Sequence, residues 1–184
     1  QAGKIMLEAE KASIDVKEKT GSANFVTQYD MAVQENLRQA LKKICPEADF
    51  LGEEGNERPE QTALVFIVDP IDGTTNFIHG YRHSAISIAL AQNGKIEYGV
   101  VYNPYTEEVF SAARGRGAYR NGEPIHVSNR PMKEALICFG TSPYDPSLAE
   151  PSFRLAKRLF DIAADIRRSG SAALHLCALA AGQG

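Results

Sequence analysis

Apolar residues recur at helical spacing from the start of the chain. Ile5, Met6, Ala9, Ala12 and Val16 predict a helix from Ala2 to about Val16. Thr20-Gly21-Ser22 ends it, and Phe25-Val26 reads as a short extended piece. Thr27 is placed to cap a second helix, with Asp30 in its first turn. Val33, Leu37, Leu41 and Ile44 line one face of that helix, and Pro46 stops it. Phe50-Leu51 predicts a brief strand. Ala63 to Val68 is an unbroken apolar run, expected to be a strand buried on both faces. Ser84 to Ala91 alternates, Asn93-Gly94 is a hairpin turn, and Ile96 to Tyr102 returns. Pro104 turns the chain again into Val109 to Ala112. Gly115, Gly117, Asn121 and Gly122 mark tight turns around Ala118-Tyr119. Ala135 to Phe139 is a further strand. Asp145-Pro146 leads into a helix through Phe153, Leu155, Leu159 and Ile162, and Ser169-Gly170-Ser171 opens a last helix from Ala172 to Ala181. Helices flanking a mostly antiparallel sheet predict a layered α+β architecture.

Two acidic clusters interrupt this pattern. The first is Gly52-Glu53-Glu54, at the end of the brief strand. The second is Asp69-Pro70-Ile71-Asp72-Gly73-Thr74-Thr75-Asn76, at the end of the apolar one. Carboxylates gathered at a strand end are costly unless a cation or proton relieves them, and a hard divalent metal is the simplest relief. Pro70 is expected to stop the strand and turn Asp69 and Asp72 to one side. Gly73 permits a backbone geometry that a side chain would block. Gly73 to Asn76 predicts a short helical turn whose amides face an anion. Glu53 can reach the same point from its own strand end. Carboxylates for a cation beside amides for a phosphate are the layout for metal-assisted phosphoryl hydrolysis. Asp-Pro and Asp-Gly are also common turn dipeptides. It is the full string after an apolar strand, with Gly52-Glu53-Glu54 upstream, that favours chemistry over a plain turn.

Composition narrows the classes. A chain of 184 residues can bury a core without disulfides. Its 43% apolar and 23% charged content is that of an ordinary globular protein. A net charge of −3 argues against nucleic acid as the main partner. Cys45, Cys138 and Cys177 are few and widely spaced, which fits reduced thiols in the cytoplasm. No apolar run approaches a membrane span, so no membrane partner is expected.

Other motifs are weaker. His79 and His83 have helical zinc-ligand spacing, but no third ligand lies near them and Gly80 weakens a helix. Arg114-Gly115-Arg116-Gly117 with Tyr119 and Arg120 reads as turn punctuation rather than an RNA tract. Arg167 and Arg168 fit either phosphate neutralisation or a solvated surface. Thr20 to Ser22 with Asn24-Phe25 fits either a flap over a metal site or a plain connection. Cys177 is expected in the core.

The string Asp69 to Asn76, preceded by Gly52-Glu53-Glu54, resembles the signature of the inositol monophosphatase family. Lys19 to Asp30, Gly99 to Pro104, Gly115 to Gly122 and Arg168 to Ala173 also resemble family segments, so the likeness spans essentially the whole chain. It implies an αβαβα sandwich of the sugar-phosphatase type. Residues 1–130 would form a nearly complete N-terminal domain with the metal site, and 131–184 the start of a C-terminal αβ domain. It implies Mg²⁺ held by Glu53, Asp69, the carbonyl of Ile71 and Asp72. Glu53 and Thr74 would position the attacking water, with Asp30 accepting from the Thr74 hydroxyl. The amides of Gly73 and Thr74 would hold phosphate, and Ala172 would touch the substrate's alcohol part. It implies hydrolysis of a phosphorylated polyol, inositol 1-phosphate first, with lithium inhibition and a homodimer. Relatives acting on fructose 1,6-bisphosphate, 3′-phosphoadenosine 5′-phosphate or histidinol phosphate share the loop, so the loop does not choose among them. A regulatory homologue binding RNA polymerase or RNA is the alternative from another class. Two departures stand out. The family adds a metal-binding Asp in a Trp-Asp motif, whereas this chain has no Trp, so a truncated version of a longer protein is expected. Asn24 stands where many members carry Asp.

Overall fold

The computed structural model describes residues 1–9, 16–18, 25–55, 63–143 and 145–184. Lys19, the predicted break at Thr20 to Ser22, and Asn24 lie outside the described residues. Helix α1 spans Ala2–Ala9, and Met6 and Ala9 are fully buried. The helical pattern does not run on to Val16 as expected. Val16–Glu18 is instead strand β1, paired antiparallel with β2 (Phe25–Thr27) in the register Val16 to Thr27. Strand pairing takes over from a 3.6-residue pattern that α1 alone would have had to bury.

Helix α2 (Gln28–Ile44) starts where Thr27 and Asp30 form a reciprocal capping box. Its face of Val33, Leu37 and Leu41 packs with Met6, Phe66, Val68, Ile71 and Ile86 into the core. The same face carries Asp30 and Gln34, both buried, toward the sheet.

The main sheet has seven strands among the described residues: β3 (Asp49–Gly52), β4 (Leu64–Asp72), β5 (Ala85–Gln92), β6 (Lys95–Asn103), β7 (Glu108–Ala113), β8 (Ala118–Arg120) and β9 (Glu123–Ile125), in that spatial order. Only β3 and β4 are parallel among these neighbouring pairs. A separate pair, β10 (Leu136–Cys138) and β11 (Asp165–Arg167), is also parallel and flanks α4 (Ala149–Phe160) in sequence. Helix α5 (Ala172–Ala180) packs against β5 and β6. Neither the parallel β10–β11 pairing nor β8 and β9 as strands follows from the sequence pattern.

Two expectations about β4 are corrected. The strand is not buried on both faces: Phe66 and Val68 are buried on the core side, while Ile67 between them is 38% exposed. Nor does Pro70 end it. Pairing passes from Asp69–Ser87 to Asp72–Ala85, so Pro70 and Ile71 together oppose Ile86 alone. That is a β-bulge, a place where a residue without an N–H fits a sheet. The bulge re-aims the end of the strand, where Asp69 and Asp72 stand.

Candidate active site

Gly73 follows β4 with φ +91° and serves as the N-cap of α3 (Thr74–Ile78). A Cβ there would lie 3.2 Å from the His83 carbonyl and 3.3 Å from that of Gly170. Glycine is required on both counts: the left-handed backbone and the crowded surroundings. The turn delivers Thr74 beside α2. Its hydroxyl has two acceptors, Asp30 Oδ1 at 3.3 Å and the Ile71 carbonyl at 3.1 Å. A single hydroxyl proton serves one of them at a time.

Asp30 is 1% exposed. It accepts from the Thr27 amide at 2.8 Å and the Thr27 hydroxyl at 2.6 Å. Burial raises its carboxyl above the ordinary range, against the opposing pull of the Thr27 and Thr74 hydrogen bonds. Asp69 is shifted further, pushed up to about 8. Burial is the largest cause; the charges of Glu53 and Asp72 and a hydrogen bond with Glu53 act in the same direction, and only the Ile71 amide opposes them. Desolvation and like charge together favour the protonated form of Asp69 when no cation relieves it.

Asp72 turns the other way. Oδ2 accepts from the Ser171 hydroxyl and from the Ala173 amide at 2.8 Å, and Oδ1 from the Ala172 amide at 3.3 Å. Asp72 thus sits on the N-terminus of α5, where a negative charge is favoured by the helix dipole. Ser171 is the N-cap of α5, its hydroxyl also accepting from the Leu174 amide at 3.2 Å.

Asn76 and two histidines hold these pieces together. Asn76 Nδ2 donates to the His83 carbonyl at 2.7 Å and the Ser169 carbonyl at 2.6 Å. His175 Nε2 accepts from the Ser169 amide at 3.1 Å, so its proton is on Nδ1. Ser169 Oγ then donates to His175 Nε2 and accepts from His83 Nε2 at 2.8 Å. Burial lowers the pKa of both imidazoles. His83 is therefore occupied with Ser169, and His79 is exposed, so the structure does not bring the two together as zinc ligands.

The residues read from the sequence are thus gathered around one strand end. Asp69 pairs with Glu53, Thr74 pairs with Asp30, and Ala172 meets Asp72 at the start of α5. Among the described residues, no three carboxyl, imidazole or thiol groups already converge as a ligand set. The sequence pattern gave no role to Gln34 or His175, weighed His83 only as a zinc ligand, and read Asn76, Ser169 and Ser171 only as parts of turns and helix openings. Only Ser171, before an apolar helix, carried a readable signal, that of an N-cap.

Against known proteins, the sequence profile of the inositol monophosphatase family matches residues 1–184. The inositol-1-monophosphatase of Rhizobium meliloti is 41% identical over 89% of this chain and 62% of its own length. The Nus factor SuhB of Pseudomonas aeruginosa is 37% identical over 92% of this chain and 65% of its own. The solved structure of extragenic suppressor protein suhB from Bartonella henselae superposes with a TM-score of 0.91 at 38% identity, covering 99% of this chain and 71% of that one. The chain belongs to the inositol monophosphatase family. It spans under two thirds of the length of the Rhizobium and Pseudomonas relatives, at 62% and 65%.

Proposed function

We propose that this chain carries the site of a Mg²⁺-dependent phosphomonoester hydrolase acting on a phosphorylated polyol, with inositol 1-phosphate as the first substrate. The observation that carries the reading is Asp69, half-buried beside the carboxyls of Glu53 and Asp72, where desolvation and those two charges push its pKa up to about 8. The chemistry of these donors, all oxygen, suits a hard divalent cation; binding would draw together carboxyls that do not yet converge and release the proton held by Asp69. Glu53, Asp69, the Ile71 carbonyl and Asp72 would hold the ion. Bound there, Mg²⁺ would supply positive charge against phosphoryl oxygens and an acidified water.

The chain's own residues supply the rest. Glu53 and Thr74 would hold the attacking water. Thr74 would take its proton at Oγ1 while passing its own to Asp30, which burial has made the more basic acceptor. The amides of Gly73 and Thr74 would orient phosphate oxygens. Ala172, exposed at the first turn of α5, would touch the alcohol part. Lithium sensitivity, a homodimer and cytoplasmic residence belong to the same reading. No described helix is long and apolar enough to cross a membrane.

A second reading, a regulatory protein contacting the transcription machinery, is favoured by relatives named Nus factor SuhB. The test is phosphate release by full-length protein from inositol 1-phosphate, fructose 1,6-bisphosphate, 3′-phosphoadenosine 5′-phosphate and histidinol phosphate. Each is assayed with Mg²⁺, with EDTA, and with Mg²⁺ plus Li⁺. Magnesium-dependent, lithium-sensitive release supports the enzyme. Ion binding without release from any of them favours the regulator.

A further inference from the structure

We propose that Gln34, on α2, is a positioning residue for Glu53; this rests on the metal reading above. Gln34 is 4% exposed, a polar side chain among Val33, Leu37 and the sheet. Both ends of its amide bond one residue. Oε1 accepts from the Glu54 amide at 3.0 Å, and Nε2 donates to the Glu54 carbonyl at 2.7 Å. These are the two bonds a neighbouring strand would make with Glu54. Because one partner is an N–H and the other a C=O, they also fix which way the amide points.

The clamp closes on Glu53 from both sides. On one side is Gly52, where a Cβ would lie 2.2 Å from Gln34 Oε1, so the side chain presses on bare backbone. On the other is Glu54, held by both bonds. Glu53 itself donates its amide to the Val68 carbonyl at 2.9 Å. The last residue of β3 and the two that follow it are thereby fixed, and the carboxyl of Glu53 is left beside Asp69. Asp30 lies one helical turn before Gln34 on the same face and holds Thr74 at 3.3 Å. One rigid helix therefore sets the spacing between Glu53 and Thr74, the two groups that would share the attacking water. Burying an amide at this position is costly unless its bonds are made.

The experiment compares Gln34→Met, which keeps length and removes both bonds, with Leu37→Ala, which weakens α2 without touching Glu54. Full-length proteins are titrated with Mn²⁺ by calorimetry, melted, and assayed. Hydrogen exchange at the Glu54 amide is read in parallel. The expected result is Mn²⁺ binding weakened roughly 10–100-fold in Gln34→Met, the range for partners that orient a metal ligand. kcat falls while KM stays within about twofold, and Glu54 exchanges faster. Leu37→Ala loses stability and keeps its Mn²⁺ affinity. Should Gln34→Met fail to fold, Gln34→Asn, one methylene shorter, is read in the same way. Unchanged Mn²⁺ affinity in a folded Gln34 variant, whatever its melting temperature, overturns the role of Gln34 alone. Wild-type protein that takes up no Mn²⁺ overturns the metal reading beneath it.

Discussion

The backbone amide of Ala173 donates to Asp72 at 2.8 Å across 101 residues of sequence. The contact joins the acidic loop after β4 to the first turn of α5. With the Ser171 hydroxyl and the Ala172 amide it makes Asp72 an anion seated on a helix N-terminus. The segment beginning at residue 131 is thereby tied to the loop that would bind the ion.

Asp72→Asn is expected to abolish phosphate release while the protein stays folded. An amide is a poor metal ligand, and its NH₂ group would face N–H donors now served by a carboxylate. The lost negative charge at the helix N-terminus costs about 1 kcal/mol of stability. Melting temperature and Mg²⁺-dependent release, measured together, check this; near-wild-type turnover would sink the assignment of Asp72 to the metal.

Thr74→Ala is expected to lower kcat far more than it raises KM, because the hydroxyl acts on water rather than on substrate. Thr74→Ser keeps the hydroxyl next to Asp30 and the Ile71 carbonyl and should recover most of the rate. A change confined to KM would remove Thr74 from the proton path.

The carboxyl shifts predict how pH acts on the ion-free protein. Folded Asp69 keeps its proton up to about 8, whereas the unfolded chain releases it near the ordinary value of 3.8. Between those limits the folded state binds more protons, so Asp69 makes stability fall as pH rises from about 4 toward 8. Asp30 acts with the same sign. His83 and His175, lowered on folding, act oppositely: their contribution is present above the usual imidazole range and lost as pH falls. EDTA-treated protein should therefore melt lower at pH 8 than at pH 6.5. Mg²⁺ should raise the melting temperature most at pH 8 and release a proton on binding at pH 7. Asp69→Asn should flatten the carboxylate limb and remove the Mg²⁺ response. Melting curves against pH, with and without Mg²⁺, decide it.

Asn76→Asp is expected to destabilise more than Asn76→Ala. Nδ2 donates to two carbonyls, of His83 and Ser169, so a carboxylate would place negative charge against both. Alanine loses the bonds and leaves two part-buried acceptors unmet, a cost of up to about 1–3 kcal/mol each to the extent that water cannot reach them. Denaturant unfolding of the three proteins measures the order.

The local geometry of the loop and of the cap ahead of Asp30 was legible in the sequence because its signals are local. A carboxylate string after an apolar run, a glycine before a short helix and a threonine cap ahead of Asp30 each act within a few residues. The elements that carry them were legible for the same reason. What failed was whatever depended on a distant partner. The helix expected to reach Val16 gave way there, where Val16–Glu18 met β2. Pro70 ended the strand on local grounds, yet pairing with β5 carried it past in a bulge.

By itself, then, the sequence determined which residues bring carboxylates and which bring a turn of backbone amides to one loop, since side-chain chemistry and turn geometry are written in neighbouring positions. Only the tertiary structure decided how those residues are held. Gln34 reaches Glu54 over 20 residues, Thr74 reaches Asp30 over 44, and Asn76 reaches Ser169 over 93. These hydrogen bonds have no period and no motif. They exist because core packing brings α2, β4 and the start of α5 to one place, where polar groups taken out of water must find each other.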